Sequence, residues 1–194
     1  MNYNNMDKET LIKIIKEKDE VIESLNKKID EILHYANVDE VTKVLNRRSG
    51  LNVLNTKLEF CRINNESLTL CFIDIDNFKK INDSFGHGEG DKVLQEVSKI
   101  FKECIRNTDS VLRMGGDEFI IGFENINKKS ACKIWNRICS RIHEIYGKEN
   151  SEHKVTLSRG FSEYNKENQL PLKDLIEIAD KDMYENKKVI YHKK

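Results

Sequence analysis

Apolar residues recur at alternating steps of four and three through residues 7–37, a stretch without glycine or proline. This heptad spacing is typical of a helix that pairs with a second helix in a coiled coil. The seam positions are Leu11, Ile15, Lys18, Ile22, Leu25, Ile29, Ile32 and Ala36. Only Lys18 interrupts the apolar seam, and the other faces are highly charged. Because the stripe is narrow, the pattern favours a parallel dimeric coiled coil over residues 1–38, with a helix packed against its own domain as the alternative.

From residue 39 onward, the hydrophobic pattern predicts helices and strands in the order α-β-α-β-β-α-β-α-β. A helix is predicted to begin near Asn46, and the almost uninterrupted apolar run Leu68–Ile73 predicts a central strand covered on both faces. Alternating segments at 110–114 and 119–123 predict a hairpin, and a last helix and a short strand are predicted at the end, after Pro171 and at 189–191. The order indicates an α+β or mixed α/β domain with one core over residues 39–194.

Length and charge narrow the possible functions. At 194 residues the chain can form one core of ordinary size with an extension. The formal net charge is zero, which gives no electrostatic reason to expect nucleic acid or a membrane surface as a partner. The chain starts without a basic-then-apolar leader, and no apolar run reaches the roughly 18 residues of a membrane span. We therefore expect a cytoplasmic protein that binds neither nucleic acid nor a membrane surface. The five cysteines include no C-x-x-C pair and are predicted to be reduced.

Carboxylates follow two of the predicted strands. Asp74 ends the apolar strand, and the acidic pair Asp117-Glu118 follows Gly115-Gly116 at the tip of the hairpin. Glycine has no Cβ, so a phosphate could approach its backbone, and carboxylate oxygens are preferred ligands of Mg²⁺. If the two strand ends adjoin, the pattern predicts a metal and phosphate site for phosphoryl or nucleotidyl transfer. The alternative is an acidic surface turn.

A polar, glycine-rich stretch at residues 77–91 lies between these carboxylates and contains the aromatic residues Phe78 and Phe85. Such a composition is more typical of a ligand-binding loop than of a linker. Lys79 lies just after the first carboxylate and could offset the charge of a triphosphate. Taken alone, Lys79 would be interpreted as a solvated surface cation.

Three motifs in the chain resemble those of the GGDEF-domain diguanylate cyclases, which join two GTP molecules into cyclic di-GMP with release of pyrophosphate. The family's D-x-L-T-G-L-x-N-R is similar to Asp39–Arg47, its D-I-D-x-F-K-x-I-N-D-x-x-G-H-x-x-G-D matches Asp74–Asp91 without a break, and its signature is Gly115–Phe119. The resemblance covers residues 39–188. It implies a nucleotide-cyclase-like fold with a central, mostly antiparallel sheet flanked by helices. It also implies an enzyme that uses Mg²⁺, or Mn²⁺, and that dimerises through the N-terminal helix.

The resemblance implies a role for each matching residue. The metal ligands would be Asp74, the main-chain carbonyl of Ile75, Asp117 and, as a further candidate, Glu118. Asp117 would also accept the proton of the 3′-hydroxyl, and Lys79 would stabilise the transition state. The substrate contacts would come from Phe78, Asn82, His87, Asp91, Gly115, Gly116 and Lys187. Asn82 and Asp91 would bind the guanine edge, because an amide and a carboxylate match its hydrogen-bonding groups. His87 could instead only cap its turn.

The family also has an inhibitory product site, an R-x-x-D motif five residues ahead of the signature. Arg106 and Asp109 have this spacing, and Arg137 could add a second contact. A guanidinium group is suited to a guanine edge or a phosphate. The resemblance therefore implies feedback inhibition by cyclic di-GMP.

Three positions depart from the family pattern. Lys43 stands where the family usually has glycine, Arg159 occupies a usually apolar strand position, and Tyr191 stands where many members have arginine. The last departure affects one phosphate contact and leaves the metal and guanine positions intact. We expect an active diguanylate cyclase. The alternatives are a cyclic di-GMP receptor without turnover and a cyclase with relaxed purine choice.

Overall fold

The computed structural model describes residues 6–147 and 153–191, without the side chains of residues 30–35 and 189–191. The chain divides into two units between Asn37 and Val38. The first unit is the helix α1 (Lys8–Asn37). Asp7 caps its first turn, because its carboxylate accepts bonds from the backbone N and the Oγ1 of Thr10, both at 2.8 Å.

The predicted heptad seam is an apolar, exposed stripe along α1. Its side chains Ile15, Ile22, Leu25 and Ile29 are 52–56% exposed. The side chain of Ile32, which also belongs to the predicted seam, lies outside the described residues. An exposed apolar stripe of this length is the surface that a second helix covers in a coiled coil.

The second unit consists of helices around one sheet. Its elements in chain order are α2 (Arg47–Asn64), β1 (Leu68–Ile75), α3 (Phe78–Phe85), α4 (His87–Cys104), β2 (Ser110–Gly115), β3 (Glu118–Glu124), α5 (Lys128–Tyr146), β4 (Leu157–Tyr164) and α6 (Leu172–Tyr191). The strands lie in the order β2-β3-β1-β4, and each neighbouring pair is antiparallel. The predicted α+β class with a mostly antiparallel sheet flanked by helices is confirmed.

The strand β1 is central and buried over its whole length, as its apolar run predicted. Its side chains alternate between two apolar layers, because successive residues of a strand point to opposite faces. The layer that includes α3, α4 and α5 receives Cys71, Ile73 and Ile75. The layer that includes α2 and α6 receives Leu68, Leu70 and Phe72. The predicted single core is thus divided in two by the sheet.

Each edge strand of the sheet has backbone groups bonded to another part of the unit. At the β2 edge, the backbone N of Leu45 donates to Val111 O at 3.2 Å, and the backbone N of Arg113 donates to Leu45 O at 2.9 Å. At the β4 edge, a carboxylate oxygen of Asp182 on α6 accepts a bond from the backbone N of Phe161 at 2.7 Å. Neither edge at these positions offers a free row of backbone groups for pairing with another chain.

The polar, glycine-rich stretch that was predicted to be a loop forms the helices α3 and α4 instead. Phe78 and Ile81 are buried one helical turn apart and anchor α3 to the core. Gly86, at the junction of the two helices, has a φ of 86°. Gly90 lies so close to Asn82 that a Cβ would come within 1.9 Å of its Oδ1. One glycine is therefore needed at a helix junction and another at a close contact between helices. The composition of the stretch does not distinguish these two roles of glycine from its role in a loop.

The predicted strand at the end of the chain is wrong, because α6 continues through it to Tyr191. Val189, Ile190 and Tyr191 are strand formers by propensity. No glycine, proline or turn separates them from the preceding helix, so the helix propagates. The continuation of α6 therefore outweighs the strand propensity of these three residues.

Three further features concern the tryptophan, the cysteines and the character of the helices. Trp135 is buried in the core. All five cysteines are free, three of them buried and Cys132 and Cys139 partly buried. Within the described ranges, no helix combines the length and the apolar character that crossing a membrane demands.

Residues 39–45 form a tight turn, here called the entry turn, that precedes α2. The backbone N of Asp39 donates to Val44 O at 2.8 Å, and the backbone N of Lys43 donates to Asp39 O at 2.9 Å. Lys43 has a φ of 54°, in the left-handed region. A residue with a Cβ in this conformation lowers the stability of the fold by about 1–2 kcal/mol, a cost that glycine does not carry.

Replacing Lys43 by Gly is expected to stabilise the protein, because it removes the Cβ from a left-handed position. The free energy of unfolding should rise by about 1 kcal/mol, measured by urea denaturation. Lys43→Ala is the matched control, since it removes the same long side chain but keeps the Cβ. An equal gain in both variants would show that the side chain, and not the backbone conformation, sets the cost.

Candidate active site

Two acidic strand ends meet at one end of the sheet. In the register between β1 and β3, Asp74 lies opposite Glu118. The backbone N of Ile75 donates to Asp117 O at 3.2 Å. The structure thus brings together the two strand ends that the sequence pattern expected to adjoin.

The turn between β2 and β3 depends on two glycines with positive φ. Gly115 has a φ of 152° and Gly116 a φ of 53°. Within the described part of the chain, no atom lies within 4 Å of a Cβ built at either position. The backbone of the turn is therefore open on that side, as a phosphate that approaches main-chain N–H groups requires.

The side chain of Arg113 holds this turn by hydrogen bonds. Its Nε and Nη2 donate to Gly116 O at 3.0 and 2.7 Å, and its Nη1 donates to Asp39 at 2.9 Å. Asp39 also accepts bonds from the backbone N and the Oγ1 of Thr42. The entry turn and the hairpin are thus joined through one guanidinium group. Sequence reasoning assigned no role to Arg113, although a basic residue just before the glycine pair was the available signal.

The Asp39 carboxyl remains ionised in this arrangement. Partial burial by itself raises its pKa, but the bonds from Thr42 and the guanidinium of Arg113 outweigh burial and hold the pKa below its ordinary value. The pair is partly buried, with side-chain exposures of 23% for Asp39 and 14% for Arg113. Such a pair is screened less by solvent than an exposed one.

Several carboxylates crowd the end of β1. Asp74 is 8% exposed and accepts a bond from Lys187 Nζ at 2.5 Å. Burial raises the pKa of Asp74; the bond from Lys187 opposes the rise, and the Asp117 carboxylate adds to it. Burial also raises the pKa of Glu118, and three neighbouring carboxylates, including Asp180 on α6, add to the shift. Sequence reasoning missed Asp180. Mutual repulsion of this kind is relieved by a cation.

The donor set fits a hard divalent cation that shares its coordination with substrate. In the part of the chain that the structure describes, no three His, Cys, Asp or Glu side chains converge into a closed ligand cage. Mg²⁺ usually takes only one or two protein carboxylates and completes its shell with water and phosphate oxygens. Asp74 with its acidic neighbours on the hairpin supplies such a partial set.

The second aspartate of the Asp74-Ile75-Asp76 sequence is engaged elsewhere. Asp76 is 3% exposed and accepts bonds from Thr156 Oγ1 at 2.7 Å and Ser158 Oγ at 2.6 Å. Asp74 and Asp76 are two residues apart, a spacing that in an extended chain places both side chains on one side. The structure separates their roles, because Asp76 lies beyond the end of β1 and ties it to the start of β4.

The helices α3 and α4 carry most of the other substrate-binding candidates. Lys79, His87 and Asp91 are exposed, whereas Phe78 is buried in the core and Asn82 is partly buried. The Oδ1 atom of Asn82 is buried and has no hydrogen-bond partner among the described residues. A buried acceptor without a partner is costly, so a ligand donor that reaches it gains affinity.

The residues of the implied inhibitory site lie in the turn after α4. The carboxylate of Asp109 accepts bonds from the backbone N of Arg106 at 2.9 Å and of Glu124 at 3.3 Å. The side chain of Arg106 is exposed. Arg137 donates to the carbonyl of Cys104 at the end of α4. The structure thus brings Arg106 and Asp109 into one turn and gives Arg137 a partner of its own.

The two remaining departures from the family pattern have different surroundings. The guanidinium of Arg159 lies 4.8 Å from the centre of the Phe161 ring, a cation–π contact that accommodates the charge in a partly buried strand. Tyr191 ends α6, and its side chain lies outside the described residues.

Comparison with known proteins establishes the family. The family described as "Diguanylate cyclase, GGDEF domain" matches residues 36–190, and the chain belongs to this GGDEF-domain family. The chain is 42% identical to Diguanylate cyclase A of Treponema denticola over 125 residues, which are 63% of this chain and 33% of that protein. It is 30% identical to the diguanylate cyclase DosC of Escherichia coli over 185 residues, which are 95% of this chain and 40% of that protein. The chain thus spans 33–40% of the length of these curated relatives.

A solved structure shows the same arrangement of elements. The coiled coil and GGDEF domain of DgcB from Caulobacter crescentus, in complex with c-di-GMP, matches with a TM-score of 0.80. The match covers 92% of this chain and 95% of that one, at 22% sequence identity. The similarity confirms the fold, including a long helix ahead of the GGDEF domain.

Replacing Asp39 by Asn is expected to destabilise the protein most at neutral pH, where the free energy of unfolding should fall by about 1–2 kcal/mol. The folded-state pKa of Asp39 lies below its ordinary value. Its contribution to stability is therefore present above the ordinary aspartate pKa and is lost as the pH falls through the folded value. Urea denaturation should show a smaller difference between variant and wild type in acid.

The control for this experiment is Glu40→Gln, which changes an exposed acid in the same turn. It should leave stability nearly unchanged at both pH values. A difference between Asp39→Asn and wild type that does not shrink in acid would contradict the proposed charged bond.

Proposed function

We propose that the chain is a diguanylate cyclase, which condenses two GTP molecules into cyclic di-GMP with release of pyrophosphate. The observation that carries the proposal is the meeting of Asp74 with the glycine turn and its acidic pair Asp117-Glu118, beside Lys187. Carboxylates, an open backbone and a basic group around one position are what transfer of a nucleotidyl group requires, since positioning and charge stabilisation do most of the work.

The metal ligands in this proposal are Asp74, the main-chain carbonyl of Ile75, Asp117 and Glu118. Mg²⁺, or Mn²⁺, bound there would neutralise charge on the triphosphate and lower the pKa of a coordinated hydroxyl group. Lys187 forms an ion pair with Asp74. We propose that it turns to a phosphate oxygen when substrate is bound, so that the buried carboxylate is not left without a counter-charge.

The protein groups around the reacting atoms have separate tasks. Asp117 would accept the proton of the attacking 3′-hydroxyl, and the open turn at Gly115 and Gly116 would let the α-phosphate lie against the backbone. Lys79 lies in the first turn of α3 and is exposed, so its ammonium group could contact the triphosphate.

Guanine recognition would depend on α3 and α4. The Oδ1 of Asn82, which has no partner among the described residues, and the exposed carboxylate of Asp91 are acceptors. Guanine offers donors at N1 and N2 that adenine lacks at the same positions. His87, at the start of α4, is a further candidate contact. Phe78 is buried, so its part would be to position α3 and not to touch the base directly.

Dimerisation follows from the reaction, because each GGDEF domain would hold one GTP and two must meet. The exposed apolar seam of α1 supports a homodimer through the N-terminal helix. Linking the two domains in this way raises the effective concentration of one bound substrate relative to the other. Product inhibition would act through Arg106 and Asp109, whose shared turn lies at the far end of the same strand β2 that leads to the glycine turn.

Purified protein with Mg²⁺ and GTP should form cyclic di-GMP, identified by liquid chromatography and mass spectrometry. Replacing Asp117 by Asn keeps the side-chain shape but removes the proton acceptor and a metal ligand, so turnover should fall by about a hundredfold or more. Asp83→Asn, an exposed acid on α3, is the matched control. Thermal unfolding should show that both variants fold.

Product identity separates the rival functions. Retained turnover in Asp117→Asn would remove its proposed role. Failure to form any dinucleotide, with cyclic di-GMP still bound, would support a receptor. A mixed dinucleotide from GTP and ATP together would indicate relaxed purine choice.

Replacing Arg106 by Ala is expected to relieve product inhibition, because it removes the charged group that would bind the guanine edge or phosphate. The inhibition constant for cyclic di-GMP should rise by about tenfold or more, with the initial rate at low product unchanged. Lys129→Ala, an exposed cation on α5, is the control. An unchanged inhibition curve would exclude Arg106 from the site.

Replacing Ile22 by Glu is expected to dissociate the dimer, because it places charge in the middle of the apolar seam. Sedimentation velocity should show a lower dimer fraction, and turnover per protomer should fall at low protein concentration. Ser24→Glu adds the same charge off the seam and should have little effect. Equal behaviour of the two variants would argue against dimerisation through α1.

A further inference from the structure

His153 is a buried, ionisable side chain that has no role in the site described so far. It precedes β4, and its side chain is only 9% exposed. Its ring centroid lies 5.5 Å from that of Phe85 and 5.6 Å from that of Tyr146. Packing between two rings restricts the orientation of the imidazole. His153 is therefore held between the last residue of α3 and the last residue of α5.

Both ring nitrogens of His153 are buried, and neither has a hydrogen-bond partner among the residues that the structure describes. An oxygen of Glu89, in the first turn of α4, lies 3.9 Å from Nε2. This distance is too long for a hydrogen bond but within the range of an ion pair. An imidazole carries at least one N–H group, and a buried N–H group without an acceptor is unfavourable. A short movement of Glu89 toward the ring would supply the acceptor.

The titratable groups recorded around the ring are acids and a neutral phenol. The bond from Lys92 first, and the nearby His153 to a smaller extent, hold the pKa of Glu89 below its usual value, so this carboxylate is ionised at neutral pH. Burial, with smaller contributions from Glu96 and Glu89, raises the pKa of Tyr146 to about 12, so the phenol is neutral. The contact with α3 is an uncharged ring. Histidine commonly changes its charge between pH 5 and 8, and a protonated ring attracts the Glu89 carboxylate.

The contacts of His153 lie on both sides of the junction between α3 and α4. Phe85 ends α3, Glu89 lies in the first turn of α4, and Gly86 joins them with a φ of 86°. Glycine restricts the backbone least of all residues, so the backbone of the junction by itself fixes the angle between the helices only weakly. Side-chain contacts across the junction therefore contribute to setting this angle, and His153 makes one to each helix.

The junction separates the two acceptors proposed to bind guanine. Asn82 lies on α3, and its backbone O accepts a bond from the N of Gly86 at 2.8 Å. Asp91 lies on α4, in the second turn after the junction. Because the two side chains would bind one base edge together, the angle between the helices determines whether both can reach it.

We propose that His153 is a positioning residue for guanine binding. Its protonated ring attracts Glu89 and fixes the junction in the geometry that presents Asn82 and Asp91 to the base. The ring touches neither substrate nor metal in this proposal, and the inference rests on the proposed function for the identity of the ligand. Nucleotide affinity should therefore be higher at pH 6, where the protonated form is favoured, than at pH 8, where the attraction is lost.

The test is isothermal titration calorimetry of the full chain with Mg²⁺ and 3′-deoxy-GTP, which lacks the attacking hydroxyl and binds without turnover. His153→Phe keeps a stacked ring, Glu89→Gln keeps the side-chain shape, and both are compared with the double variant and wild type. At pH 6 each single variant should bind about threefold more weakly than wild type, and the double variant no more weakly than either. At pH 8 this coupling should vanish. Titration of the nucleotide and of His87 affects all four proteins alike and cancels.

The control is Glu103→Gln, which changes an exposed acid near the other end of α4 and should bind like wild type at both pH values. Thermal unfolding verifies that each variant folds. If His153→Phe does not fold, Glu89→Gln serves alone, with the titration of the His153 ring followed by NMR in wild type and variant. The midpoint should fall in Glu89→Gln, because the carboxylate favours the protonated ring.

Single variants that bind like wild type at pH 6, equal losses at the two pH values, or an unchanged titration midpoint would overturn the positioning role. The cyclase proposal is tested separately. Coupling that is present at pH 6 in a protein that forms no cyclic di-GMP would support the positioning role and count against the cyclase alone, and turnover without coupling would do the reverse. A wild-type protein that does not bind 3′-deoxy-GTP would overturn both.

Discussion

The antiparallel register between β1 and β3 is the constraint on which the candidate site depends. It sets Asp74 opposite Glu118 and lets the backbone of Ile75 bond to Asp117. Because β1 is buried on both faces, a slip of one residue would exchange its two sets of side chains between unequal apolar layers. The packing of the core therefore determines which carboxylates meet, and the acidic cluster needs no direct attraction among its members to form.

The Arg113 guanidinium extends this constraint to the turn itself. Two glycines with positive φ form the turn and leave its backbone open among the described residues, but openness alone does not hold it in one conformation. Arg113 bonds to Gly116 O on one side and to Asp39 on the other, so the entry turn at the start of the domain and the hairpin are positioned together. A change at the entry turn, where α1 leads into the domain along the chain, thus has a physical route to the candidate site.

Like charges and buried carboxylates are concentrated in the candidate site. Burial and mutual repulsion raise the pKa values of Asp74 and Glu118, and the bond from Lys187 to Asp74 offsets part of this cost. The Oδ1 of Asn82, buried without a hydrogen-bond partner in the part of the chain that the structure describes, is a second unfavourable feature. Functional sites commonly retain such unfavourable groups because the ligand relieves them.

The sequence alone determined the central strand, the hairpin, the heptad helix and the two acidic strand ends, because apolar periodicity and glycine pairs act over a few neighbouring residues. It also determined the family, through motifs that need no coordinates. Tertiary structure decided what depends on distant residues: that the glycine-rich stretch is helical, that α6 continues through strand-forming residues, and that Asp76 is tied to β4 while Asp74 faces Lys187. It alone joined Asp39 to Arg113 across 74 positions and set His153 beside Glu89, since long-range contacts leave no period in the sequence.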